Sequence, residues 1–332
     1  MIRFSKQLKT GFPGQDWRLR QAWPAIIAIL AAAALLLSAC QTAPKANGQN
    51  PGLKVLAVET FLADIAQNVA GDRLTIQALV PIGADPHEFE PTPQDIARIS
   101  QSSLLIINGT GFELWLQKTL EAAGGTHTTV EASTGLVSRT PREGEAVMHA
   151  AEPANDAGDP HFWLDPLSVV KYVENIRDGL IQVDPQGKEI YTQNADIYIA
   201  KLKELNAWIA DQVKQIPLDH RRIVTNHESF GYFADRYGFQ IIGTVIPSVS
   251  SSASPSAQQL ARLVDSIRAA HAPAIFLETG TNPQLANQVA QETGIKVITG
   301  LQTHSITAPG GDAPTYIDMM RMNTKLIVAA LK

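Results

Sequence analysis

The sequence predicts an α/β fold of two lobes, each a parallel sheet flanked by helices, joined by one long spine helix. Three observations carry this. From Leu53 onward, short apolar runs alternate with helical patterns, the signature of a parallel sheet covered by helices. The alternation comes in two sets, on either side of residues 184–216. That middle segment keeps a helical period through Ile190, Ala195, Tyr198, Leu202, Leu205, Ile209 and Val213, so it predicts a single helix.

In the first set, 53–183, strands are predicted at Leu53–Val58, Leu74–Val80, Leu104–Asn108 and Thr128–Glu131. Helices are predicted at Phe61–Ala70, Pro93–Ile99, Phe112–Ala122 and Pro166–Val183. The spine starts at Pro185, which suits a helix start, and stops at Pro217. At 1.5 Å per residue it would span roughly 45 Å, longer than one small lobe. In the second set, 217–332, strands follow at Arg222–Thr225, Gln240–Val245, Ala274–Leu277 and Lys296–Ile298. Its helices are Ser229–Tyr237, Ser256–Ala270, Asn282–Thr293 and Thr315–Leu331, with Ser250, Ser251, Ser252 and Ser254 read as a flexible linker. No sequence repeat marks an internal duplication.

The first 52 residues are of another kind. A basic stretch precedes an apolar run ending Leu37-Ser38-Ala39-Cys40, the length of a signal-peptide core and short for a spanning helix. Residues 1–39 are therefore expected to be a signal peptide of the lipoprotein type, with Cys40 carrying the lipid. Residues 40–52, rich in turn formers, are expected to be a flexible tether. Cys40 is the single cysteine of the 332 residues, which excludes an internal disulfide. With 45% apolar residues, 18% charged residues and a formal charge of -5, the chain is globular and acidic. That excludes nucleic acid as a partner, which needs a basic face.

Eight histidines are present, and no pair has a close metal-ligand spacing such as HxxxH. His87, His161, His227 and His304 nevertheless each fall in a connection beside a predicted strand. Loops at the carboxyl ends of parallel strands converge on a crevice where ligands bind. Four imidazoles could meet there in a tetrahedral set suited to zinc. The competing reading is of surface or hydrogen-bonded loop histidines. His127, His220 and His271 carry no predicted role.

The surrounding runs sharpen this. They read Asp85-Pro86-His87-Glu88-Phe89-Glu90-Pro91, Asp159-Pro160-His161-Phe162-Trp163-Leu164-Asp165-Pro166 and Thr225-Asn226-His227-Glu228-Ser229-Phe230-Gly231. Later come Ile275-Phe276-Leu277-Glu278, Glu292-Thr293-Gly294 and Tyr316–Asn323. Together they resemble the metal-binding solute receptors of ABC transporters, the group containing ZnuA, TroA and PsaA. The resemblance runs over Leu53–Lys332. It implies that His87, His161 and His227 are metal ligands. The family's usual fourth ligand is a carboxylate in a Thr-Asp-Ser stretch, which here reads Thr303-His304-Ser305. Either His304 ligates directly, which is the expectation, or water takes its place. Manganese receptors of the family commonly use two histidines and two carboxylates. With His227 and His304 at the carboxylate positions, the set shifts from Mn2+ toward Zn2+.

A ligating imidazole usually gives its other N–H to a carboxylate or carbonyl. Asp85, Glu90, Asp165, Glu228 and Glu278 are the candidates, each with a solvated-charge reading beside it. Trp163 and Phe230 either exclude water or fill the core. Residues 139–159, with Glu143, Glu145, Glu152, Asp156 and His149, read as a mobile acidic insertion, with a weak cation-gathering role as the lesser alternative. The expected function is an extracytoplasmic lipoprotein, monomeric and anchored to the membrane lipid through Cys40. It would hand a divalent metal to an ABC permease in the cytoplasmic membrane. A zinc-dependent hydrolase with Glu228 or Glu90 as base, and a metal-binding surface adhesin, are the rival readings.

Overall fold

The structure is a computed structural model that describes residues 52–125, 128–140 and 158–332. The signal segment 1–39, Cys40, nearly all of the tether, His127, His149 and most of the acidic segment 139–159 lie outside the described residues.

The amino-terminal lobe contains β1 (Val55–Ala57), α1 (Thr60–Ala70), β2 (Ile76–Ala78), α2 (Pro93–Ser100), β3 (Leu104–Ile107), α3 (Leu116–Ala123), β4 (Thr128–Glu131) and α4 (Ser168–Val183). The spine is α5 (Lys188–Val213). The carboxy-terminal lobe contains β5 (Arg222–Thr225), α6 (Gly231–Tyr237), β6 (Gln240–Thr244), α7 (Ala257–Ala270), β7 (Ala274–Glu278), α8 (Gln284–Thr293), β8 (Lys296–Leu301) and α9 (Tyr316–Leu331). Capping boxes start two of the helices. Thr92 and Asp95 satisfy each other's backbone N–H at α2, and Ser256 and Gln259 do so at α7.

The strand orders are β2-β1-β3-β4 and β6-β5-β7-β8, and every pairing is parallel. The two sheets thus share one topology, although the sequence shows no repeat. In each, the winding reverses beside the first strand, between β1 and β3 and between β5 and β7. Crevices form at such reversals.

The spine packs against α1, α4 and α9. Its buried stripe is Tyr191, Ala195, Tyr198, Leu202, Leu205, Ile209 and Val213. Ile190, assigned to that stripe from sequence, is 40% exposed. It sits one residue, about 100°, off the face that Tyr191 occupies. Helix α5 also begins later than the predicted Pro185, because residues 185–187 form a separate 3-10 turn. One apolar core runs through both lobes along this spine, from Phe61 and Tyr172 to Phe276 and Met319.

Helix α3 starts at Leu116 rather than Phe112. Glu113 is used elsewhere: its carboxylate accepts the backbone N–H groups of Asn108 and Gly109 at 2.6 and 3.1 Å. Gly109 has φ +87°, and a Cβ there would strike the Glu131 side chain. This tight turn holds Phe112 out of the helix and buries it completely.

Candidate metal centre

His87 lies in the loop after β2, His161 in the connection after β4, His227 just after β5 and His304 just after β8. All four loops leave carboxyl ends of strands, and they meet. One ring nitrogen from each imidazole lies within 4.8 Å of the other three. A tetrahedral zinc with bonds of 2.0–2.1 Å would set nitrogens about 3.3 Å apart. Nε2 of His161 and Nε2 of His227 already face each other at 3.2 Å.

His161 and His227 are fully buried, and His304 is 8% exposed. Nε2 of His87 and Nε2 of His304 are buried with no hydrogen-bond partner among the described residues. Buried polar atoms are ordinarily satisfied. Two buried, unpartnered nitrogens within a cluster of imidazoles suit a cation site.

Carboxylates stand behind the rings. Asp159 Oδ1 is 2.9 Å from His161 Nδ1, and Glu278 Oε1 is 2.7 Å from His227 Nδ1. His304 Nδ1 lies 3.5 Å from Glu278 Oε2 and 3.7 Å from Asp85 Oδ1. Such contacts select the tautomer that turns Nε2 toward a metal. Both Asp-Pro-His runs adopt the same local turn. Asp85 Oδ1 accepts the N–H of His87 at 2.9 Å, and Asp159 Oδ1 accepts that of His161 at 3.0 Å. This is an Asx-type turn with the proline at its second position.

Among the outer carboxylates expected from sequence, Asp85 and Glu278 reach the cluster. Glu90 does not: its side chain is exposed. Asp165 does not either. It pairs with Arg236 at 2.6 Å and accepts from Ser168 Oγ at the start of α4, so it serves the helix end and a lobe-to-lobe ion pair. Glu228 is half-buried and its backbone N–H donates to Ser248 O; Glu278, not Glu228, meets the His227 ring. Asp159 was overlooked, and the repeated Asp-Pro-His was its available signal. Phe112 was also missed. Its ring stands edge-on to His87 at 4.6 Å and 5.8 Å from both His161 and His304, forming an apolar floor with Trp163. Phe230 packs on Phe233 and belongs to the core. The serine segment is no plain linker, because Ser251 Oγ donates to Asp85 Oδ2 at 2.5 Å across the cleft.

Charge follows from this packing. Burial, reinforced by the neighbouring imidazoles, holds His87 and His161 well below the ordinary histidine pKa. Burial also lowers His304, against the pull of Glu278 and Asp85. For His227 burial opposes the charge, but Glu278, Asp85 and Asp159 outweigh it, and its pKa is raised. Burial would raise Glu278, yet His227 and His304 hold it below the usual carboxylate range. Burial pushes Asp159 up to about 7. Burial therefore favours the neutral, metal-ready form of His87, His161 and His304, while the carboxylates around His227 favour its protonated form. A cavity of about 660 Å³ opens beside His304, with Asp85, Glu88 and Glu278 in its wall. Its acidic lining favours cations over anions.

Two lobes around a cleft, a shared rigid helix and a buried histidine cluster at the strand ends define a bilobal receptor for a metal cation. The comparisons agree. Residues 55–330 match the family described as "Zinc-uptake complex component A periplasmic". The chain is 36% identical over 306 residues to the manganese-binding lipoprotein MntA of Halalkalibacterium halodurans, covering 92% of this chain and 97% of that one. It is 30% identical to the iron-binding protein YfeA of Yersinia pestis, over 91% of this chain and 94% of that one. A manganese-bound periplasmic metal-binding protein from Candidatus Liberibacter asiaticus (an S38A mutant) superposes with a TM-score of 0.74 at 27% identity, covering 84% of this chain and all of the other. The chain belongs to the family of metal-binding, ABC-transporter solute-binding lipoproteins. These are receptors rather than enzymes, which sets the hydrolase reading aside.

Proposed function

We propose that this protein captures Zn2+ with His87, His161, His227 and His304 and delivers it to an ABC importer in the cytoplasmic membrane. The observation that carries this reading is the convergence of four imidazoles on one buried point. Neutral imidazole suits zinc, whereas manganese favours oxygen donors. The nearby carboxylates Asp159 and Glu278 lie against the rings' Nδ1 atoms, where they raise ligand basicity instead of supplying hard oxygen. Capture occurs outside the cytoplasm, with the chain a monomer held to the membrane by a lipid on Cys40.

A second reading, a manganese or iron receptor, is favoured by the names of the relatives, MntA, PsaA at 32% identity and YfeA. A metal-binding surface adhesin is the third; a laminin-binding adhesin of Streptococcus agalactiae superposes with a TM-score of 0.71 at 26% identity. Elemental analysis after competing zinc and manganese titration separates the first two. The zinc reading expects about one zinc per chain, and His304→Asp moving the balance toward manganese. Preferential loading of manganese by the unaltered protein would overturn it.

A further inference from the structure

We propose that Ser305 is the positioning residue for the fourth imidazole: its hydroxyl ties the His304 loop to the amino-terminal lobe and sets the His304 ring against His87. The proposal rests on the four-histidine reading of the site.

By chain order His304 belongs to the carboxy-terminal lobe, since it follows β8. Its flanking residues bond elsewhere. Ser305 Oγ accepts the N–H of Gly83 at 2.9 Å and the hydroxyl of Thr60 at 3.2 Å, and donates to Ile306 O at 2.9 Å. Thr60 Oγ1 in turn accepts the N–H of Ile306 at 3.0 Å. On the other flank, Trp163 Nε1 donates to Thr303 O at 2.7 Å. The three anchors are the start of α1 (Thr60), the His87 loop (Gly83) and the turn just after His161 (Trp163). Each belongs to the amino-terminal lobe. Farther out the loop returns to its own lobe, where Asn323 exchanges hydrogen bonds with the backbone of Gln302.

Both hydroxyls are desolvated, with Thr60 5% and Ser305 6% exposed. A hydrogen bond lost there leaves its partner without water to replace it. The rings of His87 and His304 stand 5.0 Å apart, edge to face. Ser305 links their loops by a direct hydrogen bond from Gly83. On its other side His304 meets Glu278. The fourth ligand thus bridges the lobes, and Ser305 is its amino-terminal fastening.

The test uses the full mature chain, zinc competition titrations and the visible spectrum of the Co2+-loaded protein. Ser305→Ala is expected to weaken zinc binding by roughly 10–100-fold, the usual cost of losing an outer support. The Co2+ bands should fall as His304 yields its place to water. On a His304→Ala background the same change should add less than about twofold, because it acts through that ring. Thr60→Val should show a smaller loss of the same kind, and Thr60→Ser should restore the wild-type spectrum. Equal losses on both backgrounds, or a wild-type spectrum for Ser305→Ala, would overturn the assignment. Hydrogen exchange of the metal-free protein is independent of loading: residues 303–306 and 82–84 should exchange faster in Ser305→Ala, and unchanged rates also overturn it. A wild-type chain that takes up no Co2+ sinks the four-histidine reading instead, and the exchange result still judges Ser305.

Discussion

The two lobes have the same strand order but hold their imidazoles by different means. In the amino-terminal lobe, both histidines sit in Asp-Pro-His turns whose aspartate accepts the histidine's own N–H. At His161 the same aspartate also meets the ring, at Nδ1, while at His87 it fixes the backbone of the turn. In the carboxy-terminal lobe neither histidine has such a turn. His227 is aimed by Glu278 from the neighbouring strand β7, and His304 by Glu278, Asp85 and the Ser305 contacts. One lobe places its histidines by local turn chemistry, the other by packing. The amino-terminal half should thus be the more preformed, and the carboxy-terminal half more dependent on closure.

The largest expected effects come from removing a ring on either side of this division. If the ~10–16 kcal/mol of a zinc site is shared by four donors, each contributes about 3 kcal/mol, or about a hundredfold in affinity. His161→Ala and His227→Ala should both lose at least that much in competition titrations. Retained affinity in either would remove that ring from the site.

Next come the supports. Asp159→Asn should cost about 10–100-fold, because its carboxylate touches the ring. Asp85→Asn should cost less than about tenfold, since its nearest ring nitrogen is 3.7 Å away. Equal losses would show that the two Asp-Pro-His turns do the same job.

The pH dependence discriminates the lobes again. The raised pKa of His227 means that its proton persists to higher pH and competes with metal first. His87 and His161, lowered by burial, compete only in more acid solution. As pH falls from about 8 to 5, log affinity should first drop by about one per pH unit. Glu278→Gln should move that onset to lower pH while weakening binding above it. An onset that does not move would remove Glu278 as the cause.

The smallest effect concerns the junction of the lobes, where Asp64 of α1 accepts the N–H of Tyr316 at the start of α9. Burial raises its pKa to about 6 from 3.8. A carboxyl with a raised folded pKa favours the fold while protonated, so stability declines as pH rises from about 4 to 6. Allowing for its partial exposure, ionised Asp64 costs roughly 2 kcal/mol at neutral pH. Asp64→Asn should therefore raise the unfolding midpoint at pH 7 and leave it nearly unchanged near pH 4. A gain of the same size at both values would refute the titration account.

Much of the molecule was legible beforehand. The alternation of apolar runs located the eight strands of the described residues; the central β1, β3 and β7 are largely buried and apolar along their length, and the edge strands β2, β4 and β8 were found despite partial exposure. Strand ends moved by a few residues where loops take over the backbone. The helix after β3 was started too early, since Phe112 fits an apolar helical face while Glu113 is drawn off to cap Asn108 and Gly109. The four histidines were singled out by their place beside strands and by the quoted runs. Asp165 and Glu90 were chosen as supports for nearness in sequence, and nearness was the wrong criterion: Arg236 claims the first and solvent the second.

The chain by itself determined the α/β class, the spine and the family, because periodicity, proline placement and short motifs are local properties. It also determined which imidazoles face a strand end. Tertiary structure decided how far apart those imidazoles stand, which carboxylate backs each, and that the His304 loop fastens to the opposite lobe. Those are distances between segments remote in sequence. They are set by how two sheets and one helix pack, and no local pattern encodes them.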